Sequence, residues 1–214
     1  MLAAGGNKLR KLEFLLADAV DKGCDTVVTI GSVQSNHCRT TAVAARTMGL
    51  DCVLVLRCLP SADDPSAAPG LTGNLLFDQL AGADIRLVSR EQYYTRGQFS
   101  LVQQVVDELR AEGRRPYAIP VGGSNGIGCW GYLCAVDELM QQATADGAAC
   151  PPYDDIVFAC GSGGTAEGLA LGVHLAGLKD VRVTALAVCD DAAYFHGHAD
   201  ECFREMGLEK IPPA

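Results

Sequence analysis

The segment from Thr26 to Gly49, TVVTIGSVQSNHCRTTAVAARTMG, contains the pattern that decides the fold. It begins with the short β-branched run TVVTI and continues through the polar loop GSVQSN. It ends in an alanine-rich helical stretch from about His37 to Met48, which Gly49 closes. A strand followed by a loop and a helix is the repeating unit of parallel α/β sheets. The segment therefore predicts one β-loop-α unit.

Alternating strand-like and helix-like segments continue along the rest of the sequence. The further predicted strands are residues 52–56, 85–88, 117–120, 155–160 and 181–188. The further predicted helices are residues 74–81 and 98–112, one that runs from the glycine-rich stretch 121–128 through 144, and one after GSGGT. Because strands that alternate with helices form parallel sheets with helices on their faces, we predict an α/β fold with open, mostly parallel sheets. The Pro-, Ala- and Ser-rich residues 59–70 are predicted to be an exposed connection.

The composition excludes several classes of protein. With 49% apolar but only 6% aromatic residues, the 214-residue chain can bury the core of an Ala/Val/Leu-rich α/β protein. Its net charge of -9 and the lack of a basic stripe argue against a nucleic acid or an anionic membrane as a partner. No apolar run approaches the roughly 20 residues that span a bilayer, and residues 1–6 lack the features of a signal peptide. We expect a cytoplasmic protein, unless an organelle-targeting sequence precedes the first residue.

Ten cysteines lie mostly within apolar strand-like or helix-like runs, without a CxxC motif. Buried, reduced thiols are therefore predicted rather than a disulfide framework. His196, His198 and Cys202 form an HxHxxxC pattern. A metal site would need a fourth ligand or an open position. Because no neighbouring residue in the sequence completes one, we expect the start of a surface helix and no metal.

The stretch GNKLRKLE, Gly6 to Glu13, places Lys8 just after a glycine pair, at the start of an amphipathic helix. The predicted buried face of this helix consists of Leu9, Leu12, Leu16 and Val20, widened by Leu15 and Ala19. Such a face would hold Lys8 against the protein. Desolvation and the neighbouring cations Arg10 and Lys11 would then lower its ammonium pKa, as a Schiff-base-forming amine requires. From these residues alone, a solvated helix face carrying all three cations is the simpler interpretation.

Three loops, GSVQSN, VGGSNG and GSGGT, follow strands and precede helices, where ligands bind in open α/β sheets. GSGGT, Gly161 to Thr165, has backbone N–H groups and two hydroxyls, of Ser162 and Thr165, that could surround a phosphate. It has no Walker lysine and does not match GxGxxG, so a nucleotide site is not indicated. Tight packing is an ordinary alternative for a lone glycine-rich turn. In QSNH, N-capping by Ser35 or Asn36 is likewise the simpler explanation.

Four stretches gain meaning when they are taken together: GGNKLRKLEFLL, CDTVVTIGSVQSNHCRTTAVAARTMGL, YAIPVGGSNGIGCWGY and CGSGGTAEG. In this order they resemble the pyridoxal-phosphate-dependent D-cysteine desulfhydrase and 1-aminocyclopropane-1-carboxylate (ACC) deaminase family. That family has the tryptophan synthase β-like fold, fold type II. The resemblance covers nearly all of the chain. It implies pyridoxal 5'-phosphate as the cofactor and a small amino acid as the substrate.

The resemblance also implies which residues bind. Lys8 would bond the cofactor and act as the base for the α-proton, with Asn7 and Lys11 near the cofactor phosphate. Asn36 would hydrogen-bond the hydroxyl of the pyridine ring. The phosphate cup would consist of Ser162, Gly163, Gly164 and Thr165. The pocket for the substrate carboxylate would consist of Gln34, Ser35 and His37, at a helix N-terminus, where an anion is favoured.

Within the family, QSNH followed by GGSNGIG is similar to the desulfhydrase branch. The cyclopropane-cleaving branch more often has a glutamine in place of His37. The resemblance thus implies a lyase that catalyses α,β-elimination of D-cysteine to pyruvate, ammonia and hydrogen sulfide. Three alternatives stay open: an ACC deaminase, a truncated non-catalytic family member, and a phosphate-binding domain unrelated to pyridoxal.

The domain organisation is predicted from the same resemblance. Residues 11–119 would form a smaller α/β domain, and residues 1–10 and 120–214 part of a larger cofactor-binding domain, with the site between them. Family members have a strand and loop before the lysine motif and continue well past Pro213, so the sequence is expected to lack both ends. The residue that faces the pyridine nitrogen and the tyrosine over the substrate have no counterpart in it. We expect a homodimer in the complete protein.

Overall fold

Each of the two units into which the chain divides, Met1–Gly123 and Ser124–Ala214, contains a sheet of parallel strands. The computed structural model describes residues 6–58, 69–145 and 153–208. Lys8 belongs to the first unit. The predicted assignment of residues 1–10 to the larger lobe stays a prediction. Most of the predicted connection 59–70 lies outside the described residues. Cys150 also lies outside them.

The first unit contains a four-stranded sheet in the order β3-β2-β1-β4, and all of its strand pairs are parallel. Its strands are β1 (Thr26–Ser32), β2 (Asp51–Arg57), β3 (Asp84–Val88) and β4 (Pro116–Ala118). The central strands β1 and β2 are buried along nearly their whole length, as their continuous apolar runs require. The predicted α/β fold class with parallel sheets is confirmed.

Helices cover the sheet of the first unit. They are α1 (Lys8–Asp21), α2 (Asn36–Thr47), α3 (Gly73–Leu80), α4 (Arg90–Arg96) and α5 (Gln98–Ala111). One core cluster joins Val28, Ile30, Val53 and Val55 of the central strands to five apolar residues of α5 between Leu101 and Leu109. Helix α2 packs against β1 and β2, and α1 packs against α2. This packing holds the N-termini of α1 and α2 in fixed places within the unit.

The structure corrects two expectations for the first unit. In α1 the buried face consists of Leu12, Leu15, Leu16 and Ala19, whereas Leu9 and Val20 are 43% and 48% exposed. Those two residues lie at the edges of the apolar stripe. Helix α4 was absent from the sequence prediction because it spans only seven residues. Its local signal is a capping box, in which the side chains of Ser89 and Gln92 each bond the other's backbone N–H.

The second unit consists of α6 (Gly126–Ala145), β5 (Asp155–Cys160), α7 (Gly164–Leu175), β6 (Arg182–Ala187) and α8 (Ala192–Glu205). Strands β5 and β6 pair in parallel, and α8 packs against both α6 and α7. Helices α6 and α7 approach each other closely at Gly168. A Cβ atom there would lie 2.7 Å from the carbonyl oxygen of Cys129 and 2.6 Å from the Cβ of Tyr132. The glycine therefore sets the distance between these helices.

The cysteines are reduced in the part of the chain that the structure describes. Five of the nine described thiols are buried, namely Cys38, Cys52, Cys129, Cys160 and Cys202. Burial raises the pKa of the Cys38 thiol to about 12, so that it stays protonated at neutral pH. Among the described residues, no helix combines the length and apolar character that a bilayer crossing demands.

Candidate functional site

The N-terminus of α1 holds the predicted cofactor lysine. Lys8 is the first residue of the helix and is half-buried, whereas the N-cap residue Asn7 is exposed. The preceding Gly6 has a φ of +125°, a conformation that residues with a side chain rarely adopt. A glycine at this position therefore lets the chain turn directly into the helix. The turn places Lys8 at the helix end, where it is partly shielded and still accessible.

Lys11 lies one turn further along α1 and is only 1% exposed. The interpretation of Lys11 as part of a solvated helix face is therefore wrong. Its Nζ donates to the carbonyl oxygen of Gly122 at 3.2 Å, in the turn Val121–Gly123. Gly123 makes this approach possible, because a Cβ atom there would lie 3.0 Å from Leu15 Cδ1 and 3.5 Å from the Cβ of Lys11. The glycines of VGGSNG thus place a carbonyl over a buried ammonium group.

His37 is buried, and its hydrogen bonds define its protonation state. Thr29 Oγ1 donates to the carbonyl of Ile119 at 2.9 Å, so the same oxygen accepts the Nε2–H of His37 at 2.9 Å. The proton of the imidazole is thereby assigned to Nε2. Nδ1 is then an acceptor, and it has no hydrogen-bond partner among the described residues.

The electrostatic surroundings of His37 agree with a neutral ring. Burial, together with the positive charges of Lys8 and Lys11, lowers its pKa from 6.5 to about 3. His37 therefore offers an acceptor at Nδ1, while its N–H is engaged by Thr29. A direct contact between this N–H and a substrate carboxylate is not supported by this geometry.

The N-terminus of α2 is built by local hydrogen bonds. Ser35 is the N-cap, and its Oγ accepts the backbone N–H of Cys38 at 3.2 Å. N-capping, the simpler explanation of this serine, is therefore correct. Ser35 is half-buried, so its hydroxyl proton and the first N–H groups of α2 form a donor set that suits an anion.

The side chains of Gln34 and Asn36 are tied to the start of α3. Gln34 Nε2 donates to the carbonyl of Thr72 at 3.1 Å, and Gln34 Oε1 accepts the backbone N–H of Asn74 at 3.0 Å. Asn74 Nδ2 donates to Asn36 Oδ1 at 3.0 Å. Since this bond occupies the oxygen of the Asn36 amide, the amide presents its NH2 group as the donor that a ring oxygen would need.

Sequence reasoning missed the residues that hold Gln34 and Asn36. Thr72 and Asn74 flank Gly73, which has a φ of +58°. A Cβ atom at Gly73 would lie 2.3 Å from Gln34 Oε1. The Thr-Gly-Asn triplet at the beginning of a helix was a usable capping signal. Its partner, however, lies about 40 residues earlier in the chain, which no local pattern indicates.

In the second unit, the predicted phosphate cup lies at the N-terminus of α7. Gly163 has a φ of +93° and is the N-cap of this helix. Ser162 and Thr165 are half-buried, whereas Gly163 and Gly164 are buried. A Cβ atom at Gly161 would meet nothing within 4 Å. The loop is therefore open at Gly161, and it lies at the positive end of a helix dipole.

Ser124, in the VGGSNG stretch before α6, contacts this loop, and the sequence analysis did not single it out. Its Oγ accepts the backbone N–H of Gly164 at 3.2 Å and lies 2.7 Å from Ser162 Oγ. When Ser124 donates its proton to Ser162, the Ser162 hydroxyl is left to donate its own proton to a ligand. The arrangement fits a phosphate group, since it presents N–H and O–H donors at a helix N-terminus.

Comparisons with known proteins identify the family of the chain. The sequence profile described as "Pyridoxal-phosphate dependent enzyme" matches residues 1–209. A bifunctional D-cysteine desulfhydrase/ACC deaminase, described as mitochondrial, from Arabidopsis thaliana is 49% identical over 191 residues, which are 89% of this chain and 47% of the relative. A D-cysteine desulfhydrase from Serratia proteamaculans is 42% identical over 177 residues, 81% of this chain and 50% of the relative.

A solved structure supports the fold assignment as well. The crystal structure of an ACC deaminase homologue superposes with a TM-score of 0.78 at 36% identity, covering 98% of this chain and 60% of that one. The resemblance to the D-cysteine desulfhydrase and ACC deaminase family is thereby confirmed. The chain spans about half the length of the curated relatives it matches.

Proposed function

Because this chain belongs to the pyridoxal-phosphate dependent enzyme family, we propose that the complete protein is a lyase that eliminates sulfide from D-cysteine. The products are pyruvate, ammonia and hydrogen sulfide, with one water consumed. The observation that carries the proposal is the pair of lysines on α1, half-buried Lys8 and buried Lys11, beside a neutral His37. Two lysines held on one helix turn suit a ligand that carries both an aldehyde and a phosphate, because a neutral amine adds to the aldehyde and an ammonium group attracts the phosphate.

The proposed cofactor contacts follow from the donors of each unit. Lys8 bonds the aldehyde carbon through its amine. Ser162, Gly163, Gly164 and Thr165 hold the phosphate with backbone N–H and hydroxyl donors, and Ser124 orients Ser162. Asn7 and Lys11 add donors for the phosphate, and the NH2 group of Asn36 donates to the ring oxygen. These roles are proposals that rest on donor chemistry and on the resemblance of the motifs.

In the proposed mechanism the protein positions groups and moves one proton. Bound pyridoxal phosphate supplies an electron sink that acidifies the Cα–H of an amino acid joined to it. The amine of Lys8 takes the Cα proton, the Cβ–S bond breaks, and sulfur leaves with its electron pair as HS⁻. Ser35 and the first N–H groups of α2 hold the substrate carboxylate, with Gln34 fixed beside them by Thr72 and Asn74. His37 offers its Nδ1 at this end of the site as an acceptor for a donor on a ligand.

ACC deamination is the second candidate activity. The Arabidopsis relative is described as having both activities, and the solved homologue is described as an ACC deaminase homologue. We favour D-cysteine because QSNH and GGSNGIG are similar to the desulfhydrase branch. A homodimer, a cytoplasmic location and a site between a smaller and a larger lobe remain proposals for the complete protein.

Product release from three substrates tests the proposed activity. We expect the full-length protein to release pyruvate from D-cysteine faster than it releases ketobutyrate from ACC, and to act poorly on L-cysteine. Lys8 reaches one face of the bound substrate, so the enantiomer whose Cα–H points away is deprotonated slowly. Preferential ketobutyrate release would assign the protein to the ACC deaminase branch. Release from none of the three would favour a non-catalytic family member.

A further inference from the structure

A cluster of thiol, carboxylate and imidazole side chains lies between the three helices of the second unit. Cys129 on α6, Glu167 on α7 and Cys202 on α8 each place a potential ligand atom within 4.8 Å of the others. His198, one turn before Cys202 on α8, places Nδ1 2.5 Å from Glu167 Oε1 and 3.6 Å from Cys202 Sγ. We propose that these four side chains form a binding site for a Zn²⁺-class metal ion.

The distances suit tetrahedral coordination. Zinc bonds of about 2.3 Å to sulfur and about 2.0 Å to nitrogen or oxygen place a sulfur and a nitrogen or oxygen ligand about 3.5 Å apart. The Sγ of Cys202 lies 3.6 Å from His198 Nδ1, and the Sγ of Cys129 lies 3.7 Å from Glu167 Oε2. Two of the ligand–ligand distances of a tetrahedral zinc site are therefore already present without the ion.

The third contact shows what changes when a metal ion binds. His198 Nδ1 and Glu167 Oε1 form a hydrogen bond of 2.5 Å, which is closer than two ligands of one ion would lie. Metal binding breaks this hydrogen bond: the ring keeps one proton, on Nε2, both thiol protons go to solvent, and Glu167 coordinates through Oε2, the oxygen nearer Cys129. The net change is one divalent ion gained and protons released, without any oxidation or reduction.

Burial and donor type indicate the class of metal. Cys129 and Cys202 are fully or almost fully buried, Glu167 is buried, and the side chain of His198 is 18% exposed. Two thiolates with one imidazole and one carboxylate suit Zn²⁺, and Co²⁺ or Cd²⁺ as its substitutes, rather than Mg²⁺ or Ca²⁺. The partial exposure of His198 gives the ion a path to the site.

The site lies directly behind the phosphate cup. A Cβ atom at Gly163 would lie 2.5 Å from Glu167 Oε1 and 3.3 Å from His198 Nδ1. A buried carboxylate at this place opposes an anion in the loop. A bound dication neutralises Glu167 and fixes the backbone of Gly163, so the metal would order the loop. The HxHxxxC pattern lacked a fourth ligand in the sequence because Cys129 and Glu167 come from other helices.

Metal content and cobalt spectroscopy of the full-length protein test the proposal. We expect about one zinc ion per chain after purification with reductant, and a thiolate-to-cobalt charge-transfer band with intense tetrahedral bands after Co²⁺ exchange. Cys129→Ser, Cys202→Ser and Glu167→Gln should each weaken Co²⁺ binding by at least about tenfold. Cys134→Ser on α6 and His196→Asn on α8 are matched controls, because both residues are exposed on the same helices. Neither should change the spectrum.

A second measurement covers variants that fail to fold. In the wild-type protein, Zn²⁺ should raise the Tm and protect Cys129 and Cys202, but not Cys134, from alkylation read by peptide mass spectrometry. Wild-type protein without stoichiometric metal and without this protection would overturn the proposal. Equal loss of binding in the control variants, or a Cys129–Cys202 disulfide found in the native protein in place of metal, would also overturn it.

Discussion

Thr29 accepts the Nε2–H of His37 at 2.9 Å, and this bond fixes the buried imidazole as a neutral hydrogen-bond acceptor. The ring lies at the start of α2, within the electrostatic influence of Lys8 and Lys11. A positive histidine there would add a third charge to a region that already holds two. Its neutrality is therefore part of how the site tolerates two lysines on one helix turn.

His37 should make the protein less stable in acid. Its folded-state pKa of about 3 lies below the unfolded value of 6.5, so its contribution to the free energy of unfolding is full above pH 6.5 and falls as the pH is lowered. His37→Gln removes this titration. Because the Thr29 bond is weakened, we expect the variant to be destabilised by about 1–3 kcal/mol at pH 7. The difference in the free energy of unfolding between wild type and variant should become smaller by on the order of 2 kcal/mol when the pH is lowered from 7 to 5.

Urea unfolding of both proteins at several pH values checks this expectation. His174→Gln on α7 serves as a control, because that histidine lies on a surface position of the second unit. A constant difference between wild type and His37→Gln from pH 7 to pH 5 would show that His37 titrates normally in the folded protein.

Asp78 should have the opposite effect on the pH dependence of stability. Its carboxylate is buried in α3, and neither oxygen has a hydrogen-bond partner among the described residues. Burial raises its pKa to about 7, and the positive charge of Arg39 opposes part of this rise. The folded protein therefore holds a proton that the unfolded chain releases, so this group's contribution to stability falls from about pH 4 to pH 7 and is constant above.

Asp78→Asn removes the titrating carboxyl group and with it the loss of stability between pH 4 and pH 7. The variant should therefore become more stable relative to the wild type as the pH rises from 5 to 8. Thermal unfolding of both proteins across this range measures the relative change in Tm. Asp84→Asn, at an exposed carboxylate of β3, is the control and should show no such trend. A Tm difference between Asp78→Asn and wild type that does not change with pH would contradict the assignment.

The packing of α6 on α7 should be sensitive to a single methyl group. Gly168→Ala places a Cβ atom 2.7 Å from the carbonyl of Cys129, so the helices must separate. We expect a loss of about 1–3 kcal/mol. Gly197→Ala on α8, where a Cβ atom meets nothing within 4 Å, should instead stabilise by about 0.5–1 kcal/mol through helix propensity. Denaturant unfolding of both variants measures the contrast, and equal effects would refute the close contact.

Ser124 should matter for the phosphate cup. Ser124→Ala removes the acceptor of the Gly164 N–H and the partner of Ser162. We expect affinity of the full-length protein for pyridoxal phosphate to fall about tenfold, because one net hydrogen bond is worth about 1 kcal/mol and a buried N–H is left unpaired. Equilibrium dialysis with the cofactor measures this loss. Thr144→Ala, at an exposed position of α6, is the control and should bind the cofactor as the wild type does. An unchanged affinity of Ser124→Ala for the cofactor would show that Ser124 does not contribute to phosphate binding.

Local patterns in the sequence predicted the strands and long helices closely. Strand β5 has the predicted bounds, Asp155–Cys160, and β1 and β2 extend beyond the predicted runs by one or two residues. Continuous β-branched runs and long apolar stripes are strong signals because they are formed within one segment. The short helix α4 carries no such stripe and was missed.

The parts of the site that escaped prediction depend on contacts between distant segments. The burial of Lys11 depends on the carbonyl of Gly122, which lies 111 residues later in the chain. The cluster that we propose as a metal site combines Cys129, Glu167 and Cys202 from three helices. Charge and hydropathy along the chain carry no information about such pairs, so Lys11 was interpreted as solvated and HxHxxxC as incomplete.

Locating the covalent attachment of the cofactor tests the central claim most directly. Full-length protein is incubated with pyridoxal phosphate, reduced with borohydride, digested and mapped by mass spectrometry. We expect the reduced adduct on Lys8, with no adduct on the buried Lys11 or the exposed Lys22. Lys8→Ala should abolish the adduct and the elimination activity while the protein remains folded, and Lys22→Ala should retain both. An adduct on another lysine, or near-wild-type turnover by Lys8→Ala, would contradict the account.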